Sequence, residues 1–578
     1  MKNYVKILLL AIILSSPLYL YSQGVYGVNL DTVKAQKFDN GKMWTFDFPP
    51  VDYFQEAYGF RPTQDWLDNA RMSALRFADY CSASFVSEDG LVMTNHHCGR
   101  ESVTEVQKEN EDLHKDGFVA QKLEDERKVP KLFVDQLIKI VDVTKEIQAE
   151  TDKGKTIEEK DEFKTNKVKE IEKRFSEGKD IVGQVVTLYN GGVYSVYIYK
   201  RYKDVRLVFA PEDQAGFFGG DPDNFTYPRY NLDLTMFRVY DEDGKPLKVK
   251  NFFRWSSNGA VPGEPVFVIG NPGSTSRLLT VSQLEFNRDI SYPLILNYIN
   301  NFVDSLSKII AANPDKEKEL NNDLFSYTNS QKVYIGTVKA LNDPVLMARK
   351  KDFEKKFRQA VEKNSKLKSK YGNTWNDIEE LMKEKRAIYE QNKNGNFRYV
   401  YRKLMEFQAK EDFYNQLLGR AIYEVYGTSI PPDATFTLRI SDGVVKSYNY
   451  NGTTAPPVTT FYGMLDRYYS FEKKYPWSLH ERWLNPPPEF DFGTPFNFIS
   501  TNDIIGGNSG SPMINKNAEI VGLVFDGNIE SMPGEFIYNS EVPTTVSVDS
   551  RGLLECINDM YKLKRIGSEL VNGKITDN

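Results

Sequence analysis

Ser509 stands in the run Gly506-Gly507-Asn508-Ser509-Gly510-Ser511-Pro512, between a polar loop and an apolar hairpin pattern over 513–525. Small neighbours keep its hydroxyl clear of other side chains, as a nucleophile requires. The glycines let the main chain turn tightly and leave amide N–H groups free to face a developing oxyanion. A nucleophilic serine needs a base, and the chain offers four histidines, His96, His97, His114 and His480. His97 follows an apolar strand pattern (83–86, a Glu88-Asp89-Gly90 turn, then 91–94) and directly precedes Cys98. A base of this kind needs a carboxylate to hold its Nδ1–H and to stabilise the imidazolium that forms. Asp233 is the choice, because it sits where the irregular stretch 219–232 enters the apolar strand 234–240. Asp221 and Asp223 compete for the role, although their Gly/Pro setting also accounts for them as turn residues.

These residues lie far apart in sequence, so the fold must bring them together. A strand followed by His-Cys, then a distant Gly-x-Ser-Gly, is the layout of a two-barrel serine peptidase, whose triad members come from separate parts of the chain. By analogy with chymotrypsin-like geometry, the oxyanion donors are the amides of Gly507 and Ser509. The expected fold is mainly β, a chymotrypsin-like double β-barrel built from 23–273 and 433–578. An α-helical insertion, 274–432, lies over the cleft. Within the insertion Ile295, Tyr298, Ile299, Phe302, Leu306 and Ile309 recur at helical spacing. Val193 to Tyr199 alternates aromatic and β-branched residues as a strand does, with a further strand at 205–210. The Lys/Glu-rich stretch 144–178 reads as a solvated helical excursion. A helix is expected over 63–77 with Thr63 as its N-cap, and another near 548–561. The strand near 265–269 is expected to complete the first barrel.

Composition narrows the function. The 578 residues carry 74 basic and 80 acidic side chains, a formal charge of −6, spread along the chain, which argues against a nucleic-acid surface. Residues 1–22 have the charged, apolar and small-residue order of a secretory signal, and no later stretch is long and apolar enough to span a bilayer. Export gives the three cysteines a meaning. A Cys81–Cys98 disulfide would close a short loop beside His97 and brace it, worth about 3 kcal/mol. Cys556, in an apolar-periodic segment, reads as a buried core thiol. No Cys/His spacing would hold a metal, and no cofactor is expected.

Several further motifs are distinctive: Gly41-Lys42-Met43-Trp44, Thr94-Asn95-His96-His97-Cys98-Gly99, Asp221-Pro222-Asp223-Asn224-Phe225-Thr226-Tyr227-Pro228-Arg229 and Phe525-Asp526-Gly527-Asn528. With the Ser509 loop, they make nearly the whole mature chain resemble the dipeptidyl-peptidase 7/11 group, bacterial secreted serine exopeptidases of the chymotrypsin clan. The resemblance implies His97 as base, Asp233 as orienting carboxylate and Ser509 as nucleophile. It implies that Asn224, Phe225, Asn329 and Asp526 bind the substrate's free α-ammonium. A carboxylate and two amide oxygens can satisfy that cation's three donors, and a blocked terminus would leave them unpaired. The branch that prefers acidic P1 side chains carries arginine where this chain has Gly527, so the S1 pocket is expected to take apolar or varied side chains. Phe225 stands where the best-known members have tryptophan, and the helical insertion is shorter than theirs.

The expectation is a periplasmic or secreted serine dipeptidyl-peptidase that acts through an acyl-enzyme on peptides with free N-termini. A homodimer is left open. Two alternatives stand beside it: an endopeptidase with an open cleft, and a catalytically silent peptide-binding homologue. Asn508 occupies the place where trypsin-like zymogens carry an aspartate that captures a new N-terminus, so no activation cut beyond signal removal is expected.

Overall fold

The computed structural model describes residues 27–576; the expected signal segment, 1–22, lies outside them. Two sheets, antiparallel except for one strand pair, carry the architecture. The first has the order Phe118–Val119, Val205–Ala210, Thr235–Val239, Leu91–Thr94, Cys81–Phe85, Ala74–Phe77, Val134–Asp142, Val193–Tyr202, Ile181–Leu188. The second runs Met43–Thr45, Arg439–Val444, Pro265–Gly270, Pro512–Ile514, Glu519–Gly527, Thr545–Asp549, Pro495–Ser500, Val458–Thr460. Arg254–Trp255 adds to Glu519–Gly527 in parallel. The sequence predicts a double barrel; the named strands of each sheet form an open order among the described residues, and in the second Val445, just past Arg439–Val444, bridges Ser500 of Pro495–Ser500.

The strand Val193–Tyr202 shows why both of its faces are apolar. Successive side chains point to opposite faces. Val193, Tyr197 and Tyr199 enter the main core, whereas Tyr194, Val196 and Ile198 pack with Ile147 and Ile171. The last two come from the helices Thr144–Thr151 and Ile157–Phe175, so the charged excursion forms as expected and covers the back of the first sheet.

Two expected elements fall differently. Pro265–Gly270 belongs to the second sheet, paired with Arg439–Val444 and Pro512–Ile514, and does not complete the first. The helix capped by Thr63 (Oγ1 accepts from Trp66 N at 3.2 Å) ends at Ser73, and Ala74–Phe77 is a strand between two others. Near the C-terminus the expected helix forms, Ser550–Glu555 continuing through Cys556–Met560, directly after the strand Thr545–Asp549. Ala74–Phe77 is a strand because it pairs on both sides, whereas the C-terminal helix start carries a local signal, the Asp549 side chain accepting from Arg551 N.

Between Pro265–Gly270 and Arg439–Val444 the regular elements are helices, eight of at least six residues among those described, from Val281–Phe286 to Gln408–Tyr426. The longest, Glu317–Leu341, presents Phe325, Asn329, Val333 and Thr337 to the cavity described below. At the other end of the chain, Met43–Thr45 is fastened to the second sheet through Asp442, which is fully buried. Its carboxylate accepts from Lys42 Nζ, Trp44 Nε1 and Tyr53 Oη, each at 3.0 Å, and from Tyr58 Oη at 2.5 Å.

Candidate active site

The strands Leu91–Thr94 and Thr235–Val239 pair with Thr94 opposite Thr235. That register carries the chain on one side into Asn95-His96-His97 and on the other back to Asp233. The helix His96–Val106 starts here, and a helix start leaves backbone N–H groups without an internal partner. One of them, His97 N, donates to Asp233 Oδ1 at 3.0 Å, while His97 Nδ1 meets Asp233 Oδ2 at 2.7 Å. The Asn95 side chain makes no cap bond to its own helix and donates instead to the Asp233 carbonyl at 2.9 Å. Asp233 is thereby gripped by side chain and backbone together. Its side chain is 6% exposed against 32% for His97, so the imidazole keeps an open edge.

Burial pulls the His97 pKa down, but the Asp233 carboxylate and its hydrogen bond more than offset this, and the pKa stands above the usual 6.5. For Asp233 burial pushes up, the His97 charge and hydrogen bonds pull down more strongly, and the net direction is down. The other candidate carboxylates face elsewhere. Asp221 pairs with Lys332 at 3.1 Å, and Asp223 accepts from Trp477 Nε1 at 3.3 Å. His96 and His114 are both turned to Asp213, at 3.2 and 3.0 Å.

The Ser509 loop is held by the first sheet as much as by its own. Ser82 N donates to the Ser509 carbonyl at 2.8 Å, and Ser82 Oγ to the Gly507 carbonyl at 2.8 Å. Thr94, two residues before His96, donates to the Ser82 carbonyl at 2.8 Å. Ser82 follows Cys81, which is disulfide-bonded to Cys98, the neighbour of His97. A short covalent and hydrogen-bonded circuit therefore links the serine loop to the histidine. Gly510 must be glycine: its φ is +85°, and a Cβ there would lie 2.0 Å from the Ser82 carbonyl oxygen. Neither the Gly507 nor the Ser509 amide donates a hydrogen bond to any described group. Ser509 and His97 line one cavity of about 420 Å³, without a hydrogen bond between the hydroxyl and the imidazole. Such bonds are often long before substrate binds. The cavity also holds Asn224, Phe225, Asn329, Asp526 and Gly527.

Asn224 Nδ2 donates to Asn329 Oδ1 at 3.0 Å, bridging from the loop below to the helix above. Asp526 Oδ1 accepts from Gly527 N at 2.8 Å, and Oδ2 accepts from Phe225 N at 3.1 Å and from Arg229. Phe225 has φ +59°, a left-handed conformation that costs a bulky residue about 1–2 kcal/mol and here turns its amide toward Asp526. Arg229 is 2% exposed and ion-pairs with Asp526. In the sequence Arg229 stands in a motif without a role of its own, and Ser82 is not singled out. No local signal marks Ser82, because its importance arises only where two sheets meet. Among the described residues the close grouping of metal-ligand types is Cys81, His97 and Cys98, and its two sulfurs are already bonded to each other.

A family model described as Peptidase S46 matches residues 38–401 and 396–572. A dipeptidyl-peptidase 7 of Capnocytophaga gingivalis is 24% identical over 87% of this chain and 92% of its own length. An Asp/Glu-specific dipeptidyl-peptidase of the same organism is 24% identical over 84% of this chain and 90% of its own. The crystal structure of Porphyromonas endodontalis DPP11 aligns with a TM-score of 0.77 at 18% identity, covering 92% of this chain and 99% of that one. At that identity the likeness concerns the fold.

Proposed function

The chain belongs to the peptidase S46 family, and from that premise we propose that it is a serine dipeptidyl-peptidase that removes two residues at a time from free N-termini. Ser509 Oγ attacks the carbonyl carbon of the second residue, and its proton passes to His97 Nε2. Asp233 holds His97 in the right tautomer and stabilises the imidazolium, and the Gly507 and Ser509 amides receive the oxyanion. The imidazolium gives its proton to the leaving amine. Water, deprotonated by the same ring, then frees the dipeptide from the acyl-enzyme. The observation that carries this reading is the His97–Asp233 pair facing the same cavity as Ser509, beside two amides without partners among the described residues.

The exopeptidase character is assigned to Asn224, Asn329, Phe225 and Asp526. The Asn224–Asn329 bridge crosses the cavity on the Asp526 side and supports a closed end that accommodates a short stretch of chain. Gly527 leaves S1 open to apolar or varied P1 side chains. The curated relatives include both an Asp/Glu-specific enzyme and a dipeptidyl-peptidase 7, and the absence of a basic side chain at 527 favours the non-acidic preference. We read the two sheets as a chymotrypsin-like double barrel, 23–273 and 433–578, with 274–432 as an inserted helical domain. Residues 1–22 direct export to the periplasm or beyond, in keeping with the disulfide. Among the described residues no helix is long and apolar enough to cross a membrane.

Mass spectrometry of an unstructured peptide incubated with the enzyme tests the reading. Stepwise two-residue losses from the N-terminus are expected. Internal cuts would show an open-cleft endopeptidase, and an unchanged peptide would favour a silent binding protein.

A further inference from the structure

The cavity around Ser509 contains an acidic group that the proposed reaction does not use. The strand Glu519–Gly527 continues into a 3-10 stretch, Ile529–Glu535, and this wall brings Gly527, Ser531, Met532 and Glu535 to the cavity. Glu535 is held in place at both ends. Its Oε1 accepts from Ser276 Oγ at 2.8 Å, and its main-chain carbonyl accepts from Ser276 N at 2.7 Å. Among the described residues no donor meets Oε2, and no lysine, arginine or histidine forms an ion pair with the carboxylate.

The surroundings explain why the group stands ready for a cation. The guanidinium of Arg277 is committed to Asp503 (Nη2 to Oδ1, 2.8 Å) and to the Gly534 carbonyl at 2.7 and 2.9 Å. Burial pushes the Glu535 pKa up, the Ser276 hydrogen bond pulls it down, Asp433 pushes up and Arg277 pulls down, and the net direction is up. Tyr292 and Tyr334, the other titratable groups near it, are neutral phenols with raised pKa values. A half-buried carboxyl group with an open acceptor gains most from a partner that brings its own positive charge out of water. Ile505, Val524 and Met532 give the same cavity apolar walls.

We propose that Glu535 selects the P1 side chain, favouring residues with an apolar stem and a cationic tip, lysine and arginine, over apolar residues of the same length, and rejecting Asp and Glu. The apolar walls take the methylenes of such a side chain, and the carboxylate takes its donor end. An acidic P1 residue would instead set two carboxylates against each other in a poorly solvated pocket. This inference rests on the proposed dipeptidyl-peptidase reading, in particular on Gly527 lining S1.

The test compares chromogenic dipeptides with a free N-terminus and lysine, norleucine or glutamate at P1, on the unmodified enzyme, Glu535→Gln and Glu535→Leu. Norleucine matches the lysine stem without its ammonium. The expected result is a kcat/KM for lysine at least tenfold above norleucine. Both substitutions should bring that ratio close to one, leave norleucine within about threefold and raise turnover of glutamate. Retained norleucine turnover shows that each variant is folded and active. A lysine-to-norleucine ratio that is near one in the unmodified enzyme, or that neither substitution changes, overturns the assignment of Glu535 while leaving the dipeptidyl reading intact. Failure of the unmodified enzyme to cleave any of the three overturns that reading and the inference with it.

Discussion

At His97 the electrostatics make a directional claim. A general base acts as the neutral imidazole, which is present only above its pKa, and the Asp233 carboxylate raises that pKa above 6.5 against the opposing effect of burial. The acid limb of kcat/KM is therefore expected above pH 6.5. Asp233→Asn removes the largest raising charge and leaves burial, so the limb should move to lower pH while the rate falls by about 10⁴-fold. A pH–rate profile of both proteins checks this, and an unmoved limb would mean that the profile reports another group. Arg229 supports a second prediction. It and Asp526 are both nearly buried, and removing one partner of such a pair leaves an uncompensated charge that costs about 3–5 kcal/mol. Arg229→Met should lower stability in chemical denaturation by that order, and the double variant Arg229→Met/Asp526→Leu should recover part of the loss. Equal losses in the single and double variants would show that the ion pair is not the cause.

Among the elements, the turn after Glu519–Gly527 limits what can be built at S1. A Cβ on residue 527 would lie 2.5 Å from Ser531 Oγ and 3.0 Å from Ser531 Cβ, so Gly527→Arg must displace the Ser531 hydroxyl from its bond to the Asn528 carbonyl. The expected outcome in P1-variant kinetics is a loss on apolar P1 substrates without an efficient switch to Asp or Glu. The switch should require Ser531→Ala as well. This steric relation could not be read from the sequence, since Gly527 and Ser531 look like an ordinary turn until the 3-10 geometry is known. The strand order was likewise only partly legible. Alternation marked Val193 to Tyr199, and the Leu91–Thr94 strand could be inferred from its apolar run and the Glu88-Asp89-Gly90 turn. Which sheet Pro265–Gly270 joins depends on partners some 170 and 250 residues further along, and no local pattern encodes that. His97, Asp233 and Ser509 were legible because each sits at a boundary between irregular and regular chain, where chemistry-bearing side chains stand out. Ser82 and Glu535 were not, being one serine in a strand of small residues and one glutamate among many.

For the whole molecule, the arrangement predicts an enzyme that is ready to act once it is folded. Asn508 is buried, with Nδ2 donating to the Ile505 carbonyl at 3.2 Å, and an amide offers no charge to capture a new N-terminus. Lys42 and Trp44 are already fixed through Asp442. Protein lacking residues 1–22 and otherwise uncut should be fully active, as N-terminal sequencing alongside an activity assay will show; dependence on a further cut would contradict this. The two sheets and the long helix Glu317–Leu341 meet around one cavity that Ser509, His97, Asn224, Asn329 and Asp526 all line. On the proposed reading, bond cleavage is tied to recognition of a charged terminus. The most direct measurement is the kcat/KM of the same dipeptidyl chromogenic substrate with a free and with an acetylated N-terminus, on the unmodified enzyme and on Ser509→Ala. The account predicts turnover of the free substrate alone, lost in Ser509→Ala. Equal turnover of the two substrates, or turnover that survives in Ser509→Ala, would contradict it.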